Sequence, residues 1–176
     1  SPGQRIGTLL AANLTEKARK WIFDIPKEHH DFLAQFLIRR GRADLAIRDL
    51  HGLSLETYID LCITYERTSE LENLINTHGG QVVKEISGWG REEGGYSAIS
   101  AIGLYMLGKN KIDCVTRLVR QLISCGTDEV LVDAMKLATL LGALDQNGGG
   151  ALLQNVIDVV HQKHPDNQLT LVSTVN

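Results

Sequence analysis

Two adjacent histidines followed by an aspartate, His29, His30 and Asp31, are the residues whose types come nearest to a metal site. A His-Asp pair helps to bind metal in some helical phosphohydrolases, but such a site also needs an upstream histidine and a distant aspartate. Neighbouring helical residues point about 100° apart, so His29 cannot complete the set. We therefore predict polar positions on the exposed side of a helix, with no metal and no cofactor. A small all-α metal-dependent hydrolase is the alternative that these residues leave open.

A glycine-rich stretch near residues 87–95 is the second candidate for chemistry. Residues 88–95 read GWGREEGG, which superficially resembles a phosphate-binding loop. The stretch lacks the Gly-Lys-Ser/Thr ending, no predicted strand precedes it, and two carboxylates would repel phosphate. We interpret it as a connecting loop in which Trp89 either anchors a protein partner or folds back over the end of a hairpin.

Four arginines, Arg39, Arg40, Arg42 and Arg48, form the compact basic cluster of the sequence. Residues 1–48 contain 9 Lys or Arg against 5 Asp or Glu, whereas residues 49–176 contain 9 against 16. Complementary charge would steer an acidic protein surface, or a second copy of the chain, to this cluster. We expect the guanidinium groups of Arg39, Arg40 and Arg42 to be solvated, so that they contribute little to stability. The structural alternative is that they interact with the carboxyl end of a helix.

Nucleic acid is a poor fit for the composition as a whole. The net charge is −3 and the isoelectric point is near 6.0, whereas a nucleic-acid-binding domain usually carries a broad basic face. A helical nucleoprotein that binds RNA through the arginine cluster is kept as an alternative hypothesis.

The elements that position these residues show helical periodicity almost throughout. Apolar residues recur at steps of three and four in residues 111–124, which predicts a helix with Arg117, Arg120 and Gln121 facing outward. Residues 98–106 are apolar or small on all sides and predict a central, well-buried helix. Asp24 and Pro26 indicate the start of another helix, whose predicted apolar face is Phe32, Leu33, Phe36 and Leu37.

Glycines predict where helices end and suggest a repeat. Gly41, Gly79, Gly108 and Gly142 are spaced by 38, 29 and 34 residues, close to the period of about 34 residues of helical-hairpin arrays. The fold class predicted is therefore all-α, an α-solenoid of antiparallel helical hairpins with degenerate repeats. We expect a single domain over residues 1–165 and a tail, residues 166–176, that is disordered or docked.

Three cysteines, Cys62, Cys114 and Cys125, are widely spaced among aliphatic residues, which favours free thiols and a cytoplasmic location. Charges or glycines interrupt the apolar runs before about 18 residues, so no membrane span is expected.

Two stretches of hairpin sequence carry a family resemblance. Residues 25–28 (IPKE), 32–41 (FLAQFLIRRG) and 43–47 (ADLAI) resemble the α-solenoid of the large coatomer subunits β′ and α, and residues 105–109 (YMLGK) with 112–114 (IDC) are similar to a later hairpin of that solenoid. Related solenoids of vesicle coats and intracellular transport share this pattern, whereas the glycine-rich segment departs from it. The resemblance implies assembly with other protein subunits and transfers no cargo-binding residue.

The function expected from the sequence is a non-enzymatic scaffold for protein–protein interaction. No arrangement of nucleophile, base and orienting group accompanies the candidate residues. Candidate partner-binding residues are Arg39, Arg40, Arg42, Arg48 and Trp89.

Overall fold

The computed structural model describes residues 1–87, 97–144 and 149–165, and within these ranges the chain is all-α, with no strand. The predicted loop from residue 88 onward, Trp89 and the tail 166–176 lie outside the described residues. None of the helices in the described ranges combines the length and the hydropathy needed to cross a bilayer. The helices are α1 (Pro2–Ala11), α2 (Thr15–Phe23), α3 (His30–Arg39), α4 (Ala43–Asp49), α5 (Leu55–Thr64), α6 (Thr68–Ile86), α7 (Ala98–Gly108), α8 (Ile112–Cys125), α9 (Asp128–Leu144) and α10 (Gly149–Lys163), with a 3-10 turn at Lys27–His29.

The described helices group into two compact units, where the sequence indicated one domain over residues 1–165. The first unit is Ser1–Arg67 and the second takes the described residues from Thr68 onward. In the first unit α1 packs on α2, α3 on α4, and α4 on both α2 and α5. Its core is aliphatic, and the large fully buried side chains there are Ile6, Ile22, Leu37 and Leu45.

In the second unit α8 is the central helix. It packs against α6, α7 and α9, and α10 covers α9. The predicted stripe is confirmed, because Val115, Leu118, Val119 and Leu122 are buried. The predicted outward positions of α8 are also confirmed, since Arg117, Arg120 and Gln121 are exposed.

The expectation of all-round burial for α7 is wrong. Ile99, Ile102 and Met106 are buried, but Leu104 is 46% exposed. The helix is therefore apolar on all sides although only part of its surface is buried. Gly103 lies against Leu137 of α9 so tightly that a Cβ atom at position 103 would be 2.4 Å from the Leu137 Cδ2 atom.

One turn geometry recurs four times in the described ranges of the chain. After α1, α3, α5 and α7 a residue adopts a left-handed backbone, and two backbone hydrogen bonds close the helix end in the Schellman pattern. Each time the next helix begins two residues later. The left-handed residues are Asn13 (φ 60°), Gly41 (φ 72°), Glu66 (φ 54°) and Asn110 (φ 60°). The closing bonds of the second of these turns run from Gly41 N–H to the Ile38 carbonyl, 2.9 Å, and from Arg42 N–H to the Leu37 carbonyl, 2.9 Å.

These turns correct the glycine markers read from the sequence. Gly41 ends its helix as predicted and Gly108 is the last residue of α7, although the left-handed residue there is Asn110. Gly142 lies inside α9, so it does not end a helix. Gly79 directly follows a break in α6, because His78 has non-helical backbone angles (φ −131°, ψ 24°) and two helical segments meet there at a kink. The prediction that a helix ends near Gly79 is confirmed in this sense. The regular spacing of about 34 residues fails at Gly142.

Candidate functional site

The four predicted arginines surround the turn between α3 and α4, but they do not form one solvated cluster. Arg39 is the last residue of α3, Arg40 follows it, and Arg42 directly precedes α4. Arg48 lies six residues after Arg42, next to the last residue of α4. Their contacts divide them into two pairs with different roles.

Arg42 serves the fold. Its guanidinium makes two parallel hydrogen bonds to Asp44, with Nε to Oδ1 at 3.1 Å and Nη2 to Oδ2 at 3.2 Å, and Nη1 reaches Thr15 Oγ1 at 3.4 Å. The side chain is half-buried and links the start of α2 to the start of α4. Hydrogen bonding from Arg42 lowers the pKa of the Asp44 carboxyl below its usual range.

Arg48 also has an internal partner. Its Nε lies 3.5 Å from Asp49 Oδ1, while the same carboxylate accepts two shorter hydrogen bonds from Arg19, 2.9 and 3.0 Å long. These hydrogen bonds raise the pKa of the Arg19 guanidinium. Arg19 and Arg48 therefore share one ion-pair partner, the Asp49 carboxylate, between α2 and α4. The expectation of a solvated guanidinium group is wrong for Arg42, because each of its three guanidinium nitrogens makes a hydrogen bond within the protein.

Arg39 and Arg40 remain available at the surface. Neither has an ion-pair partner in the part of the chain that the structure describes, and both residues are exposed. The Arg40 guanidinium lies over the Phe36 ring, 4.9 Å from its centroid, which is a cation–π geometry. It also rests on α1 at Gly7, where an added Cβ atom would be 2.9 Å from Arg40 Cζ. Arg40 is therefore held in one orientation while its charge stays uncompensated.

An aromatic residue that the sequence predicts in the core is exposed about two helical turns before these arginines. Phe32 is 80% exposed, so its prediction as part of the apolar face of α3 is wrong, whereas Leu33 and Leu37 are buried as predicted and Phe36 is half-buried. The residues Phe32, Phe36, Arg39 and Arg40 fall within an arc of about 100° on α3, as their spacings of three, four, seven and eight residues require. We call these four residues the aromatic–arginine face.

Phe23 adds a second exposed aromatic ring in the same unit. It is the last residue of α2 and is 84% exposed. Nothing in its sequence context distinguishes it from the buried Ile22 next to it, except the helical period, which points the two side chains about 100° apart.

His30 is a buried polar residue at the start of α3. The prediction of an exposed position is therefore wrong for His30, whereas His29 and Asp31 are exposed as expected. Its Nε2 lies 3.0 Å from the Ile25 carbonyl, and its Nδ1 accepts a hydrogen bond from the Gly52 N–H at 2.8 Å. Both ring nitrogens are therefore occupied by backbone groups. In the described ranges no group of three His, Cys, Asp or Glu residues is arranged to hold a metal ion.

Comparison with known proteins adds no relative. No protein-family model matches the chain, and neither a curated protein nor a solved structure is similar enough to count as a match. The functional argument therefore depends on the geometry of the chain itself.

Proposed function

We propose that the chain is a non-enzymatic protein-interaction module and that the aromatic–arginine face of α3 is its binding surface. The observation that carries the proposal is the 80% exposure of Phe32 on the same side of α3 as Arg39 and Arg40. Aromatic and arginine side chains supply most of the strongest contacts in protein interfaces. A large exposed ring and two guanidinium groups without ion-pair partners in the described ranges, on the same side of α3, have that composition.

The partner that fits is an acidic protein segment with at least one apolar side chain. Arg39 and Arg40 attract carboxylates, which speeds association, and Phe32 offers apolar area that water covers in the free protein. Because Arg40 is already oriented by Phe36 and Gly7, less side-chain entropy is lost when it binds a carboxylate. These features favour a protein partner over RNA, which would need a longer basic track.

The recurring Schellman turn supports the wider proposal of a hairpin scaffold. Four helix ends share one geometry and one distance to the next helix, which is typical of chains built from helical hairpins. We propose on this basis an α-solenoid type of organisation. A role in a vesicle coat or in transport, in the cytoplasm, rests on the sequence resemblance and is proposed on that ground alone.

Peptide binding tests the proposed surface. The probes are fluorescent 15-residue peptides in which Glu and Asp alternate with Leu and Phe, measured by fluorescence anisotropy at low salt against versions with Lys in place of the acids. Wild type should bind an acidic peptide and not its basic version. Phe32→Ala and the pair Arg39→Glu with Arg40→Glu should each weaken binding at least about tenfold.

The matched control is the pair Lys17→Glu with Lys20→Glu, which makes the same charge change at exposed positions of α2. It should bind the acidic peptide within about threefold of wild type, and all variants should retain the helical circular dichroism signal. Equal losses in the α2 and α3 variants would show that only net charge matters and would overturn the assignment to α3.

A further inference from the structure

An open cleft in the second unit lies where α6 bends, on the side that faces α8. Its volume is about 360 Å³. The α6 side of the cleft is formed by residues 75–81, which include the bend at His78, and the α8 side by Arg117, Arg120 and Gln121. Ligand sites in proteins usually occupy about 300–1,000 Å³, so the cleft is large enough for a small molecule.

The bend in α6 lies on the α6 side of the cleft. At His78 the backbone leaves helical geometry, which interrupts the regular surface of α6. Gly79 and Gly80 lie next to Gln121 of α8, since added Cβ atoms there would be 3.4 Å from Gln121 Cγ, an ordinary van der Waals contact, and 3.2 Å from Gln121 Oε1. The Gln121 side chain therefore lies against the bend of α6.

The charges around the cleft are all of one sign. Arg117 and Arg120 are three residues apart on α8 and so share a side of the helix, and Gln121 is adjacent to them. No carboxylate is among the residues that line the cleft, and in the described ranges neither arginine has an ion-pair partner. Residues 68–176 nevertheless carry 8 Lys or Arg against 12 Asp or Glu, a net charge of −4. Two uncompensated arginines at one cleft of an acidic unit are a local concentration of positive charge.

We infer that this cleft binds a phosphoryl group carried by a small molecule. Two guanidinium groups supply the planar, multiple donors that match phosphate oxygens, and the side-chain amides of Asn76, Gln81 and Gln121 supply further donors at its edge. Thr77 contributes no proton, because its hydroxyl donates to the Asn73 carbonyl at 2.6 Å. The cleft volume of about 360 Å³ corresponds to about twelve water molecules and is larger than one phosphate ion. The cleft therefore has room for the organic group that carries the phosphoryl group.

Nuclear magnetic resonance titration of the whole chain tests this inference. The probes are inorganic phosphate, pyrophosphate and glycerol 3-phosphate, each compared with sodium chloride at the same ionic strength. We expect saturable shifts of backbone amides in residues 76–81 and 117–121 with the phosphate compounds and not with chloride. Glycerol 3-phosphate should bind more tightly than inorganic phosphate because the cleft accommodates its carbon skeleton. Equal affinities for glycerol 3-phosphate and inorganic phosphate would show that the cleft recognises the phosphate ion alone, and would overturn the inference that its ligand is a phosphorylated small molecule.

Three variants locate the binding. Arg117→Gln with Arg120→Gln should weaken phosphate binding at least tenfold, and Gln121→Glu should do the same by placing a carboxylate in the cleft while keeping the shape of the side chain. Lys17→Gln with Lys20→Gln removes the same charge from α2 and should leave the affinity unchanged. All of these positions are exposed, so circular dichroism should show intact folding. Unchanged affinity in the α8 variant, or an equal loss in the α2 variant, would overturn the site without affecting the proposed role of α3.

Discussion

The imidazole of His30 is hydrogen-bonded to the backbone of Gly52 on one side and to the backbone of Ile25 on the other, so it links two segments of the chain. The Gly52 N–H donates to His30 Nδ1 at 2.8 Å, and Nε2 lies 3.0 Å from the Ile25 carbonyl, which assigns the proton of the neutral ring to Nε2. Gly52 reaches this position because it has no side chain. An added Cβ atom would be 2.5 Å from Lys27 Cβ and 2.6 Å from the Lys27 carbonyl oxygen.

Gly52→Ala should therefore destabilise the protein by about 2 kcal/mol or more, because the atoms in the way belong mainly to backbone that cannot move alone. Urea unfolding followed by circular dichroism measures the change. Gly3→Ala is the control, since nothing lies within 4 Å of a Cβ atom there and Ala is a better helix former. The control should be neutral or more stable by up to about 1 kcal/mol. Equal stability of the two variants would contradict the close approach at Lys27.

Gly103 and Leu137 should show strong coupling between α7 and α9. Gly103→Ala puts a methyl group where the Leu137 side chain lies and should cost about 1–3 kcal/mol of unfolding free energy. Leu137→Ala should cost about 2–5 kcal/mol because it leaves a cavity. The double variant should lose at least about 1 kcal/mol less than the sum, since the new methyl group fills part of that cavity. Strict additivity in a double-mutant cycle would show that the two residues are not packed as described.

Acid should remove the stabilisation that Asp44 receives from Arg42. The pKa of this carboxyl is lowered in the folded protein, so its contribution is present above the ordinary carboxyl range, about pH 4, and is lost as the pH falls through the folded value. The pair is partly exposed, so Asp44→Asn should cost less than about 1 kcal/mol at pH 7. Unfolding curves between pH 7 and pH 2 should show this difference shrinking, and it should be absent at every pH in the Arg42→Gln background. A constant difference would contradict the ion pair.

Cysteine reactivity should follow burial. Desolvation raises the pKa of the Cys114 thiol to about 11, so at pH 8 only about one molecule in a thousand carries the reactive thiolate. Cys62 is fully buried, whereas Cys125 is half-buried at the end of α8. Iodoacetamide at pH 8 should label Cys125 first and leave Cys62 and Cys114 unmodified, as mass spectrometry of peptides would show. The unfolded chain should label at all three positions, and rapid labelling of Cys114 in the folded protein would contradict its burial.

Features that depend on one helix could be predicted from the sequence, and features that depend on distant partners could not. The buried apolar stripe of α8 can be predicted because apolar residues recur every three or four positions within that one helix. The sequence predicts His30 on the exposed side of α3 and Phe32 in the core. The hydrogen-bond partner of His30, Gly52, is 22 residues away, so the pattern of α3 alone cannot indicate that His30 is buried. The break in α6 at His78 and Gly79 is predictable because glycine disfavours a continuous helix, whereas Gly142, inside α9, shows that a single glycine need not end one.

The candidate site divides in the same way. The basic character of the α3–α4 turn is visible in the sequence, since Arg39 and Arg40 lie next to Gly41. Only the structure shows that Arg42 is occupied by Asp44 and Thr15. Of the left-handed residues, Asn13 and Asn110 belong to a type that favours this conformation, but Glu66 does not and carries no such signal.

The recurring turn also bears on how quickly the chain folds. Each of the four turns is closed by hydrogen bonds between residues three and five positions apart, so forming it brings no distant segments together and costs little loop-closure entropy. Proteins dominated by such short-range contacts reach the native state in microseconds to milliseconds. Stopped-flow refolding of this chain should accordingly be complete within its first milliseconds. The helix ends set during that time would direct where each following helix begins, before the cores of the two units are complete.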